Sequence, residues 1–186
     1  MTASRIFIIG PGGVGKTTSG KILASLLGDN FIDLDQEFCD RIQNISAFIR
    51  EHGYEAYCYQ NSELFFKILS EVGNDNIVLS LSSGFLVHEG LESLTNKHAE
   101  SLRRSGISIL LLPSTSMEES AHIVVSRQLS RKLEGATLHR QQEEEKFKSR
   151  FPKYQQFGDI KIYSTKKPEI IAEHMREELN KLHTER

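Results

Sequence analysis

Residues 10–17 read Gly-Pro-Gly-Gly-Val-Gly-Lys-Thr, and no other segment constrains the chain as tightly. The segment follows the apolar run Arg5–Ile9 (RIFII). It opens a stretch, Lys16–Leu27, that sets Ile22, Leu23, Leu26 and Leu27 on one helical face, with Gly28 placed as a C-terminal stop. Gly10, Gly15, Lys16 and Thr17 fill the fixed positions of G-x-x-x-x-G-K-[ST]. Flexible glycines at this spacing let successive backbone N–H groups turn inward around phosphate oxygens. The following helix adds the positive end of its dipole. Lys16 is placed to reach the β and γ oxygens, and the Thr17 hydroxyl to bind Mg²⁺. A strand, a glycine loop and a helix in this order predict a nucleoside triphosphate site. Its binding residues are Gly10, Gly12, Gly13, Val14, Gly15, Lys16, Thr17 and Thr18.

Beyond the loop, short apolar runs alternate with longer helical segments. Strands are predicted at Phe31–Leu34, Ile77–Leu81, Ile107–Leu112 and Ile160–Tyr163, in addition to Arg5–Ile9. Helices are predicted over about 36–51, through Leu64 to Val72, over about 89–104, across much of 116–150, and at the end, where Ile171, Met175, Leu179 and Leu182 recur at helical intervals. Strands separated by helices imply a parallel sheet covered on both faces, an α/β fold in three layers. Ligands of such sheets gather at the carboxyl ends of the strands. Here those ends are Gly10, Asp33–Asp35, Ser82–Gly84 and Pro113. At 186 residues, with no repeat and no linker, the chain is expected to form one domain.

Composition narrows the partners. Lys and Arg number 23 against 25 Asp and Glu, so the net charge of −2 lacks the basic excess of a nucleic-acid surface. Two cysteines, Cys39 and Cys58, are too few for a disulfide scaffold. The seven histidines form no HExxH pair. No apolar run is long enough for a membrane span, and the first strand begins too early to leave room for a signal peptide. The expectation is a cytoplasmic protein acting on a small molecule, with no nucleic-acid or membrane partner and an oligomeric state left open.

A guanine-specific switch needs Asn-Lys-x-Asp, whereas Asn96-Lys97-His98-Ala99 has alanine in place of the carboxylate and lies in a predicted helix. Motor ATPases end an apolar strand with an acid, which neither IVLSL nor ISILLL does. The strand-end acids are those of Phe31-Ile32-Asp33-Leu34-Asp35. Two carboxylates two residues apart in extended chain point the same way. One can serve the metal while the other holds an acceptor hydroxyl and takes its proton. The competing reading makes Asp35 a helix N-cap and Asp33 a solvated acid.

GPGGVGKTTSGKILASLL, then FIDLDQEF, a strand entering Ser82-Ser83-Gly84, a lid segment with arginines and Arg150-Phe-Pro-Lys-Tyr154 together resemble the shikimate kinase family from about residue 5 to the C-terminus. The resemblance implies a P-loop kinase fold with a five-stranded parallel sheet and a helical lid at about 114–150. It implies ATP and Mg²⁺, and transfer of the γ-phosphoryl to a hydroxyl, with shikimate giving shikimate 3-phosphate. By position, Lys16 and Thr17 resemble the phosphate and metal residues, Asp33 the acid near the metal, and Asp35 the group that grips the acceptor and acts as base. Arg127, with Arg131 as a nearby candidate, resembles the lid arginine that closes over the transferring phosphate. Gly84 and Arg150 resemble acceptor-binding residues, the guanidinium suiting a carboxylate through two parallel hydrogen bonds.

Two departures fall on the acceptor side. The family's second carboxylate-binding arginine aligns with Cys58, inside Gly53-Tyr-Glu-Ala-Tyr57-Cys58-Tyr-Gln. The family's Gly-Gly-Gly turn is Ser82-Ser83-Gly84. Arg41, Arg50 and Lys67 are candidates to replace the lost charge. Tyr54, Tyr57 and Tyr59 either line a pocket for another hydroxylated substrate or pack as core. The departures leave two alternatives to shikimate phosphorylation: a kinase of a different hydroxylated metabolite, and a nucleotide-binding regulatory protein without phosphoryl transfer.

Overall fold

The computed structural model describes residues 4–130 and 139–184. Five strands, β1 (Arg5–Ile9), β2 (Asn30–Asp33), β3 (Ile77–Ser80), β4 (Ile107–Leu112) and β5 (Ile160–Tyr163), form one sheet in the order β2-β3-β1-β4-β5. All four neighbouring pairs are parallel, with Ile8 opposite Ser80 and Ile9 opposite Leu110. The helices that connect them are α1 (Lys16–Leu27), α2 (Leu34–Arg41), α3 (Ile45–His52), α4 (Tyr54–Glu71), α5 (Glu92–Ser105), α6 (Met117–Ser130), α7 (Arg140–Tyr154) and α8 (Pro168–Thr184).

Side chains of β1 alternate between two cores, as a strand covered on both faces requires. Ile6 and Ile8 pack with Leu23 and Ala24 of α1 and with Ile171, Met175 and Leu179 of α8. Phe7 and Ile9 pack on the other side with Phe38, Phe65, Leu102 and Phe151, from α2, α4, α5 and α7. The sheet order reverses at β1, whose neighbours β3 and β4 carry the chain away in opposite directions. A crevice therefore opens at the carboxyl end of β1, where the glycine loop lies. Among the described residues no helix is long and apolar enough to cross a membrane.

Two sequence expectations change. The helix predicted over 36–51 is two helices, because the Asn44 side chain accepts a hydrogen bond from the Ala47 amide and starts α3 afresh. The second strand stops at Asp33 rather than Leu34. Asp33 itself caps α2, accepting from the amides of Asp35 and Gln36 at 3.1 and 3.2 Å. Asp35 thus sits in the first turn of a helix and not in extended chain, which overturns the extended-chain argument for its direction. The cap is also at Asp33, not Asp35. Segment 116–150 supplies α6 and most of α7, and Arg131 lies outside the described residues.

Candidate active site

The glycine loop joins β1 to α1. Gly10, Gly13 and Gly15 have φ of 148°, 86° and 102°, a region that side chains disfavour. At Gly10 space also decides, since a Cβ would lie 2.3 Å from the Leu111 carbonyl oxygen of β4. Lys16 is buried, and its ammonium donates to the carbonyls of Gly10 and Pro11 at 2.9 and 3.1 Å, so the side chain folds back over the loop. From α6, Gln128 Nε2 donates to the Gly12 carbonyl at 2.9 Å, and Arg127 Nη1 lies 3.5 Å from the Gly13 carbonyl. The end of α6 therefore already rests on the phosphate loop.

Thr17 Oγ1, in the first turn of α1, donates to Asp33 Oδ2 at 2.6 Å. The other Asp33 oxygen is spent on the α2 cap. Among the described residues no three His, Cys, Asp or Glu side chains form a metal cage. A hydroxyl facing one carboxylate beside a phosphate loop instead suits Mg²⁺, which takes one or two protein oxygens and completes its shell with phosphates and water. Thr17, Asp33 and Asp35 line one open cleft of about 450 Å³.

Asp35 turns toward the end of β3. Its Oδ1 accepts from Ser82 Oγ at 2.5 Å, and Ser82 in turn accepts from Asn61 Nδ2 of α4 at 3.0 Å. Tyr57, one turn before Asn61 on the same helix face, faces Asp35 as well. Burial raises the Asp35 carboxyl above the ordinary range and the nearby Asp33 charge adds to this, while the Ser82 bond and the Lys16 ammonium act in the opposite direction. Burial, reinforced by the Asp35 charge, drives the Tyr57 phenol up, so it stays protonated and able to donate.

The far wall carries the departures noted in the sequence. Arg150 of α7 donates through Nη2 to the Tyr54 hydroxyl at 3.3 Å. Tyr54 lies 3.4 Å from His88 Nδ1, and Cys58 Sγ lies 3.2 Å from the same nitrogen. Burial pushes the Cys58 thiol up to about 11. Burial, then the His98 and Arg150 charges, hold His88 down at about 4. The pair is a neutral thiol beside a neutral imidazole, because burial outweighs the nearby Arg150 charge that would favour a thiolate. Gly84 lies beneath the Tyr54 hydroxyl, where a Cβ would come within 2.6 Å of it. The backbone carbonyl of Ser83 accepts a hydrogen bond from Tyr154.

None of the three substitute cations takes the place of the aligned arginine. Arg41 is paired with Glu37 and Glu71, each at 2.6 Å, Lys67 lies 3.9 Å from Glu71, and Arg50 is exposed on α3. Of the tyrosines, Tyr57 is core and Tyr54 lines the wall, while Tyr59 is 49% exposed and takes no part. Sequence reasoning missed Asn61, His88 and Gln128. Asn61 had a signal, since Tyr54, Tyr57, Cys58 and Asn61 fall at i, i+3, i+4 and i+7 and so share one helix face. His88 and Gln128 had none, because only chain folding brings them to the site.

A shikimate kinase family model matches residues 12–180. The shikimate kinase of Chlorobaculum parvum is 29% identical over 185 residues, covering 96% of this chain and 93% of that protein. The shikimate kinase of Nitrosomonas europaea is 35% identical over 94 residues, a match covering 50% of this chain and 43% of that protein's length. The solved shikimate kinase from Acinetobacter baumannii in complex with shikimate superposes with a TM-score of 0.76 at 23% identity, covering 97% of this chain and 94% of its own. That likeness shows a shared P-loop kinase fold. With its glycine loop intact and the family match running from that loop into α8, the chain belongs to the shikimate kinase family.

Proposed function

We propose that this protein transfers the γ-phosphoryl of ATP to a hydroxyl of shikimate, giving shikimate 3-phosphate and ADP. The observation that carries this reading is the joining of donor and acceptor groups through one short segment. Asp33 meets Thr17 of the phosphate loop, and Asp35, two residues on, stands in the field of Lys16. Thr17 and Asp33 would hold Mg²⁺, which would offset the charge of the phosphates. Lys16 leaves the Gly10 and Pro11 carbonyls for the phosphate oxygens, and Arg127, already against the loop, closes over the transferring group. Asp35 orients the acceptor hydroxyl and takes its proton as the new O–P bond forms. Arg150 receives the acceptor carboxylate, and its Nε is buried without a hydrogen-bond partner among the described residues. Catalysis here rests on positioning and charge stabilisation. The chain works as one kinase domain in the cytoplasm, with α6 and α7 as the lid.

The neutral wall of Cys58, His88 and Tyr54 favours a second reading, in which the acceptor is a different hydroxylated metabolite. A coupled ADP-release assay on shikimate, then on a panel of hydroxy acids and sugars, separates the two. Turnover on shikimate supports the first, and turnover on another member alone supports the second. No ADP release with any acceptor refutes both. Asp35→Asn is expected to abolish turnover while ATP still binds, and wild-type turnover in that variant would remove Asp35 as the base.

A further inference from the structure

Ser82 is 6% exposed and Asn61 is 1% exposed, and in this desolvated place Ser82 stands between Asn61 and the Asp35 carboxylate. The hydroxyl of Ser82 has a single hydrogen. A carboxylate oxygen only accepts, so that hydrogen goes to Asp35 Oδ1. The Asn61 atom facing Ser82 must then be the donating amide nitrogen, which sets the direction of the whole chain: Asn61 N–H to Ser82 oxygen, Ser82 O–H to Asp35. This orientation leaves Asn61 Oδ1 buried with no hydrogen-bond partner among the described residues. A buried carbonyl without a partner is costly, so it calls for a reason in a native site.

We propose that Ser82, held by Asn61, is a positioning residue that occupies Asp35 Oδ1 and so assigns the acceptor's proton to Oδ2. The inference rests on the reading of Asp35 as the base. In the transfer step the acceptor oxygen bonds to the γ phosphorus, the bond from that phosphorus to the β,γ-bridging oxygen breaks, and the acceptor's proton passes to Asp35 Oδ2. Ser82 neither gains nor loses its proton. It keeps the carboxylate in one rotation and favours its ionised form against burial. The other charged and titratable groups facing Asp35 are Lys16 from α1, Asp33 at the end of β2 and Tyr57 from α4. Of these Lys16 also favours the ionised form, while Asp33 opposes it.

The test has one readout that needs no turnover. In a crystal structure of the Ser82→Ala apoprotein the Asp35 carboxylate is expected to turn away from its wild-type direction, because nothing then holds Oδ1. Ser82→Ala and Ser82→Gly both delete the hydroxyl and differ in bulk. Each is expected to lower kcat about ten- to a hundredfold, the worth of a hydrogen bond to a charged group, with KM for the acceptor and ATP binding within about twofold. Asn61→Ala gives a smaller loss of kcat, and none when added to Ser82→Ala. Should Asn61→Ala fail to fold, the two Ser82 variants decide alone. An unmoved carboxylate in Ser82→Ala overturns the proposal, as does a loss of kcat in only one of the Ser82 variants, which would trace to bulk, or a loss confined to KM. If no acceptor is phosphorylated, the proposed function falls while the carboxylate's position still judges the Ser82 contact.

Discussion

Replacing Asp33 by alanine removes two separate supports. One oxygen caps α2 by accepting from Asp35 N and Gln36 N, and the other accepts from Thr17 Oγ1. Loss of an N-cap costs about 0.5–2 kcal/mol. A hydrogen bond to a charged group is worth about 1.5–3 kcal/mol, and the exposure of Thr17 to water places this one at the low end. Asp33→Ala is therefore expected to lose about 2–3 kcal/mol. Asparagine caps as well as aspartate, so Asp33→Asn keeps the first support and weakens only the second, for a loss of about 1 kcal/mol or less. In a chain of this size each kcal/mol lowers the melting temperature by about 2–4 °C. Urea unfolding reads the difference as a lower midpoint at constant slope, with the alanine variant clearly below the asparagine one. Turnover orders differently, because both variants lose the charged oxygen assigned to Mg²⁺, and both should be nearly inactive. The reasoning is refuted if Asp33→Ala unfolds within about 0.5 kcal/mol of wild type, or if Asp33→Asn is as destabilised as Asp33→Ala.

Two further predictions concern the α4–α5 side of the molecule. His98 is fully buried, stacks on Phe85 at 3.9 Å, donates to the Phe85 carbonyl and accepts from Ser62. Burial holds His98 and His88 at about 4 against an ordinary 6.5, so between those pH values the unfolded chain binds more protons than the folded one. Stability should fall as the pH drops from about 6.5 to about 4, by at most about 3 kcal/mol per histidine. His98→Gln should roughly halve that slope in urea melts at stepped pH, and an unchanged slope would refute the assignment. Gly84→Ala drives a methyl into the Tyr54 hydroxyl and so breaks the Tyr54–Arg150 contact. It should raise KM for the acceptor several-fold with kcat and ATP affinity nearly unchanged. Tyr54→Phe should do the same without adding to Gly84→Ala, and additive effects would show that the methyl acts elsewhere.

Much of this molecule is local and periodic, and that part is legible from the order of residues alone. The glycine loop needs eight consecutive residues and a strand and helix at its ends, all of which lie within Arg5–Leu27. The strands read clearly because β1, β3 and β4 are buried almost throughout and appear as predominantly apolar runs. Periodicity misleads where a single side chain outweighs it. Asn44 divides one amphipathic stretch into α2 and α3, and Asp33 ends β2 by capping α2, which moves Asp35 from strand to helix.

The acceptor wall is legible as a substitution and not as an arrangement. That Cys58 and Ser82 replace the expected residues is plain from alignment of motifs. That His88 comes to lie against Cys58, and Asn61 against Ser82, follows from α4 packing across the end of β3, contacts that span 30 and 21 positions of chain. The parallel α/β fold, the phosphate loop and the presence of Asp33 and Asp35 two residues apart follow from the sequence alone, because each is written in neighbouring residues or in regular spacing. Only the tertiary structure decided which oxygen of Asp33 meets Thr17, which oxygen of Asp35 is held by Ser82, and that the thiol and imidazole of the far wall are neutral. Hydrogen-bond direction and desolvation arise when groups distant in sequence exclude water together, and neither has a local signature.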